Sequence, residues 1–168
     1  MRPHVLTLFA ALLALAACAE PAATSEPEPR DSVASAVTGD SSRLHTQCAG
    51  REYAFVGLGD EVHVQRDDGI VLTQPQGMEM YVPVGLGCAH ARGGETHLVV
   101  QYGEPLVGCK ICEWFFVYDA QGRPMHDSVP ALFGEGSSLA PNNTGYAHMS
   151  RQLGLEQPQI QYDATRHN

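Results

Sequence analysis

Residues 61–73 read Glu61-Val62-His63-Val64-Gln65-Arg66-Asp67-Asp68-Gly69-Ile70-Val71-Leu72-Thr73, and they decide the fold class. Val62 and Val64 alternate with the polar Glu61, His63 and Gln65. A period of two sends successive side chains to opposite faces, as in a strand with one face on a core. Asp67-Asp68-Gly69 then supplies the Asp-Gly step that favours a hairpin turn, and Ile70–Thr73 follows as its return arm. In that turn the paired carboxylates are expected to be solvated and without a chemical role.

The same period extends in both directions. Arg51–Val56 places Tyr53 and Phe55 on one side. Met78, Met80, Val82 and Val84 alternate with Glu79, Tyr81 and Pro83. That pattern predicts a short or edge strand, since proline donates no ladder hydrogen bond, with Met78 and Met80 on its core face. His97–Tyr102 and Glu113–Asp119 are the most apolar runs and are expected to be central strands. Between Asp119 and Gly122 the chain should turn, with the glycine left-handed, and lead into Arg123–Asp127. Beyond Pro141 the period changes. Asn142, Asn143 and Thr144 offer capping side chains, and Tyr146, Met149 and Leu153 follow at helical spacing. Gly154 suits a helix stop and Pro158 forbids continuation. Ile160 and Tyr162 alternate with glutamines as a final short strand. The expected fold is mainly β within the α+β class: an antiparallel meander of six to eight strands with one C-terminal helix. Seventeen Gly and eleven Pro in 168 residues also disfavour a helical bundle.

Toward the N-terminus, Val5 to Ala17 is apolar except for Thr7 and follows Arg2 and His4. A bilayer-spanning helix needs about 20 apolar residues, so this shorter run fits the centre of a secretory signal peptide. It ends in Leu15-Ala16-Ala17-Cys18, which resembles the lipobox of bacterial lipoproteins. The resemblance implies cleavage between Ala17 and Cys18 and attachment of fatty acyl chains, typically palmitate, at Cys18. Two or more acyl chains hold a soluble domain at a membrane surface. Ala19 lacks the carboxylate of an inner-membrane retention signal. The implied location is therefore the cell envelope, lipid-anchored at the outer membrane and facing the periplasm.

The expected organisation is a signal peptide at 1–17, a lipidated N-terminus and tether at 18–43, and a β-rich domain at 44–168. The tether carries Pro21, Pro27, Pro29 and alternating glutamates, with Val33 and Val37 as its only large aliphatic side chains. It buries too little to offset ordering and is expected to be disordered, with ends about 25–30 Å apart.

Ten Lys and Arg against nineteen Asp and Glu give a net charge of −9, with Lys110 the single lysine. A nucleic-acid partner is excluded, because phosphate binding needs a basic footprint.

Five cysteines are an odd number. With Cys18 assigned to the lipid, Cys48, Cys88, Cys109 and Cys112 remain for disulfides in an oxidising compartment. Three pairings are open. The favoured one is Cys48–Cys88 with Cys109–Cys112: the first closes a loop of about 40 residues, worth about 4 kcal/mol, and the second about 2 kcal/mol. Cys109-Lys110-Ile111-Cys112 also has the spacing of a thiol–disulfide redox motif. However, it precedes a strand-like run and not a helix, and Glu113 would raise a thiol pKa. Cys48 with His45, and Cys88 with His90, offer soft ligand pairs, with His63 and His97 elsewhere, yet no histidines stand at the i, i+4 spacing of a helical zinc site. No nucleophile elbow, zincin motif or phosphate loop is present. The expected function is non-catalytic binding or structural support at the envelope, without a cofactor, toward an envelope protein or ligand that the sequence does not name. The alternative is a periplasmic thiol–disulfide or metal-handling lipoprotein using Cys109 and Cys112.

Overall fold

A computed structural model describes residues 44–105 and 113–162. The fold is mainly β, with antiparallel sheets and one C-terminal helix. β1 (His45–Cys48), β2 (Arg51–Leu58) and β3 (Glu61–Arg66) form one antiparallel sheet in chain order. β4 (Val82–His90), β5 (Thr96–Gly103) and β6 (Trp114–Tyr118) form a second, ordered β6-β5-β4-β9, with β9 (Gln161–Tyr162) added beside β4. β7 (Leu132–Phe133) and β8 (Ala140–Pro141) make a small separate hairpin. α1 spans Thr144–Leu153. The expected meander is thus divided: two consecutive three-stranded runs form two sheets that share one core.

That core is built from the alternation. Tyr53 and Phe55 of β2 and Val64 of β3 meet Leu86, Leu98, Val100, Tyr102, Trp114 and Phe116 of the second sheet in a single buried cluster. At about 25 cal/mol per Å² of apolar surface, burying such side chains is the main stabilising contribution. The second sheet is buried on both faces: Val99 and Val117, on the face opposite the cluster, are fully buried as well. A strand covered on both sides loses its polar alternation. This is why β6 reads as a central strand in the sequence although it ends the sheet.

The hairpin after β3 turns at Asp67–Gly69 as expected. Its return arm is reduced to the bridge Gln65–Val71, with the Leu72 N–H donating to the Val64 carbonyl. The strand expected from Met78 starts only at Val82. The chain turns at 75–81, where the N–H of Met78 donates to the Pro75 carbonyl and that of Tyr81 to the Met78 carbonyl. Met78 is fully buried, whereas Met80 is 84 % exposed, so the two do not share a core face. Period-two spacing has no such meaning where the backbone is turned.

β4 carries glycines where packing forbids a side chain. A Cβ on Gly85 would lie 2.5 Å from Cγ2 of Ile160, and one on Gly87 would lie 2.7 Å from Cδ1 of Ile160 and 2.9 Å from the Gln159 carbonyl oxygen. The missing side chains let residues 159–162 cross close to the strand, and β9 pairs there with Gly85 and Leu86. α1 ends as expected at Gly154, which is left-handed at φ 62° and closes the helix through its N–H. Its beginning differs. The Asn143 side chain does not cap the helix, whereas Asn142 Oδ1 accepts the Thr144 N–H at 3.1 Å.

Candidate functional site

Cys48 and Cys88 form a disulfide that joins β1 to β4 across the two sheets, with Cα atoms 5.4 Å apart. Their sulfurs are bonded to each other as the favoured pairing expects, so neither is a thiolate available to His45 or His90. His90 instead lies 3.2 Å from the Thr96 hydroxyl, and His63 3.2 Å from Glu61. Among the described residues, no three of His, Cys, Asp and Glu converge as a metal-ligand set. Cys18, Cys109 and Cys112 lie outside the described residues.

Two concave regions among the described residues bear on function. The first is a cleft of about 540 Å³ at the end of the sandwich, between the β1–β2, β4–β5 and β6 turns. Its walls include Tyr53, Leu98 and Tyr118, and its rim carries Arg51 and Arg66. These arginines explain Asp67 and Asp68, which are more than turn punctuation. Asp68 accepts both Nε and Nη2 of Arg66 at 2.9 Å and pairs with Arg51, and Asp67 lies 3.4 Å from Arg51. Arg66 also reaches the Ala120 carbonyl, which ties the turn after β3 to the turn after β6. The Arg66 guanidinium pulls the Asp68 carboxyl down to about 2. Behind the cleft, Tyr118 donates to the Thr73 carbonyl at 3.0 Å and so accepts from Tyr102 at 2.9 Å. Burial pushes the Tyr102 hydroxyl up to about 12 and Tyr118 higher than usual, so neither ionises near neutrality. The two tyrosines are thus neutral, and Arg51 and Arg66 are paired.

The second is a groove of about 440 Å³ between β6, α1 and residues 155–162. Phe115 and Tyr146 pack against each other in its wall with ring centroids 5.3 Å apart, and Leu155, Pro158 and Ile160 also line it. Tyr162 donates its hydroxyl to Gln101 Oε1 at 3.0 Å. Burial raises the Tyr146 hydroxyl, which keeps it neutral. The surface is apolar and aromatic with few charges, suited to contact and to hydrogen bonding, with no nucleophile and base paired in it.

What fixes this groove is invisible in the sequence pattern. Asn143 Oδ1 accepts the Phe115 N–H at 3.0 Å and Nδ2 donates to the Glu113 carbonyl, so the residue before α1 clasps the start of β6. His126 stacks on Phe116 and accepts the Val117 N–H through Nε2. Asparagine before a helix reads as a cap, and a lone histidine in a loop gives no signal.

Comparison with protein-family models, curated proteins and solved structures finds no match.

Proposed function

We propose that this protein is a lipid-anchored lipoprotein of the cell envelope, tethered through Cys18 at the outer membrane and facing the periplasm. Its β-rich domain acts there by binding or as a structural accessory, without catalysis. The observation that carries the proposal is Leu15-Ala16-Ala17-Cys18 at the close of a short apolar run. The Cys48–Cys88 disulfide fits an oxidising compartment outside the cytosol, where structural disulfides persist, and favours neither a binding nor a thiol–disulfide role. Among the described residues no helix is long and apolar enough to cross a membrane, so attachment would fall to the lipid. The aromatic groove beside α1 and the cleft rimmed by Arg51 and Arg66 are surfaces it would offer to a partner.

Membrane fractionation of the wild type and of Cys18→Ala tests the anchor. The wild type should sediment with outer membranes and release only with detergent, and Cys18→Ala should appear in the soluble fraction. A Cys18→Ala protein that still requires detergent for release would refute it.

A further inference from the structure

Two side chains close the start of the outer edge of β6, beside a short backbone pairing in which the Met125 N–H donates to the Val117 carbonyl at 2.9 Å and Tyr118 bridges Pro124. The Phe115 N–H donates to Asn143 Oδ1 at 3.0 Å and the Val117 N–H to His126 Nε2 at 3.3 Å. Both bear on α1. Asn143 stands at its N-terminus, and His126 lies against Gly145 in its first turn, where an added Cβ would come within 2.9 Å of Nδ1. The imidazole is stacked on Phe116, with centroids 5.0 Å apart and planes 11° from parallel, and Tyr146 of α1 lies 6.3 Å away.

A carboxamide oxygen accepts a hydrogen bond at any pH, but an imidazole nitrogen accepts only while it is bare. The Val117 N–H therefore fixes the tautomer, with Nε2 unprotonated and the proton on Nδ1, toward the Asp127 carbonyl at 3.4 Å. A proton on Nε2 would set two N–H groups against each other. The groups facing the ring are few. β6 presents Phe116 and Val117, which carry no charge, and α1 presents Gly145 and the neutral Tyr146. Asp127, on the histidine's own segment, favours the cation. Burial outweighs that attraction and holds the imidazole below its usual range.

We infer that His126 is a proton-released latch. Neutral, it pins α1 to the outer edge of β6; protonated in mild acid, it lets go and frees α1 with the Tyr146 wall of the groove. The inference does not depend on the lipid anchor, and it fits a surface whose access is set by external acidity.

Hydrogen exchange of the full chain at pH 7.5 and pH 5, corrected for intrinsic exchange rates, tests it. Protection over residues 115–118 and 144–153 should fall about tenfold or more in the wild type on acidification, the change that one pKa unit corresponds to. His126→Gln keeps a neutral acceptor and should hold its protection at both pH values. Asn143→Ala should lose protection at pH 7.5 and again at pH 5. Equal acid loss in the wild type and in His126→Gln would overturn the latch, as would unchanged wild-type protection. Should His126→Gln fail to fold, the ring nitrogen and carbon shifts of the wild type decide instead: the Nδ1–H tautomer at neutral pH supports the latch, and the Nε2–H tautomer overturns it.

Discussion

The backbone N–H of Val117 donates to Nε2 of His126, so an imidazole helps close the edge of the last strand of the larger sheet, beside the Met125 N–H that donates to the Val117 carbonyl. An uncovered strand edge is a template for pairing with other chains, and covering it with side chains and a helix removes that hazard.

Stability should therefore fall in two separate acid windows. The folded value of His126 is lowered from 6.5, so between the two values the unfolded chain binds a proton and the folded chain does not. The contribution is complete above pH 6.5 and is lost as pH falls below it toward the folded value. Asp68, lowered from 3.8 to about 2, keeps its contribution above 3.8 and loses it between 3.8 and 2. Urea midpoints measured from pH 8 to pH 2 should show both declines. His126→Gln should flatten the first and Asp68→Asn the second.

Removing the disulfide tests how the two sheets are joined. The bond closes a span of 40 residues between Cys48 and Cys88, so its loss should cost about 4 kcal/mol, mostly by freeing the unfolded chain. Denaturant midpoints of the Cys48→Ala/Cys88→Ala protein would show this cost, and added reductant should lower the wild-type midpoint toward the same value.

The glycines of β4 should respond differently to a methyl group. Gly85→Ala meets chiefly the Ile160 side chain, whereas Gly87→Ala also meets the Gln159 carbonyl. Each should cost about 1–3 kcal/mol, the usual range for overpacking. Adding Ile160→Ala should recover most of the loss at Gly85 and little at Gly87. Thermal unfolding of the four variants forms the comparison.

Trp114 is the single tryptophan and is fully buried, with Nε1 donating to the Ala131 carbonyl at 2.7 Å and Tyr81 against its ring at 4.2 Å. Its emission should be blue-shifted in the native protein and move to the red in one step with denaturant. Trp114→Phe strands the carbonyl and should destabilise by about 1–3 kcal/mol, measured by circular dichroism.

Local signals in the sequence are legible. The alternation around Tyr53 and Val64, the turns at Gly69 and Gly122, and the helix ending at Gly154 all depend on near neighbours. Long-range choices were not legible. Met80 keeps strand spacing but lies on a turn, and β6 reads as central because both its faces are covered. Leu132–Phe133 with Ala140–Pro141 pairs too briefly to leave a pattern. The Cys48–Cys88 pairing is favoured by its loop length alone, but the division of the meander into two facing sheets leaves no local signal. The candidate site was the least visible part. Asn143 and His126 act on amides 28 and 9 residues away, and no periodicity announces such contacts. The four residues Leu15-Ala16-Ala17-Cys18 that carry the proposed lipobox are, in contrast, contiguous.

The central claim is attachment through Cys18, and intact-mass and N-terminal peptide mass spectrometry of the mature protein from membranes tests it most directly. The expected result is a chain beginning at Cys18 whose first residue carries a diacylglyceryl group. A mature protein starting after Cys18, or one with an unmodified Cys18, would contradict it.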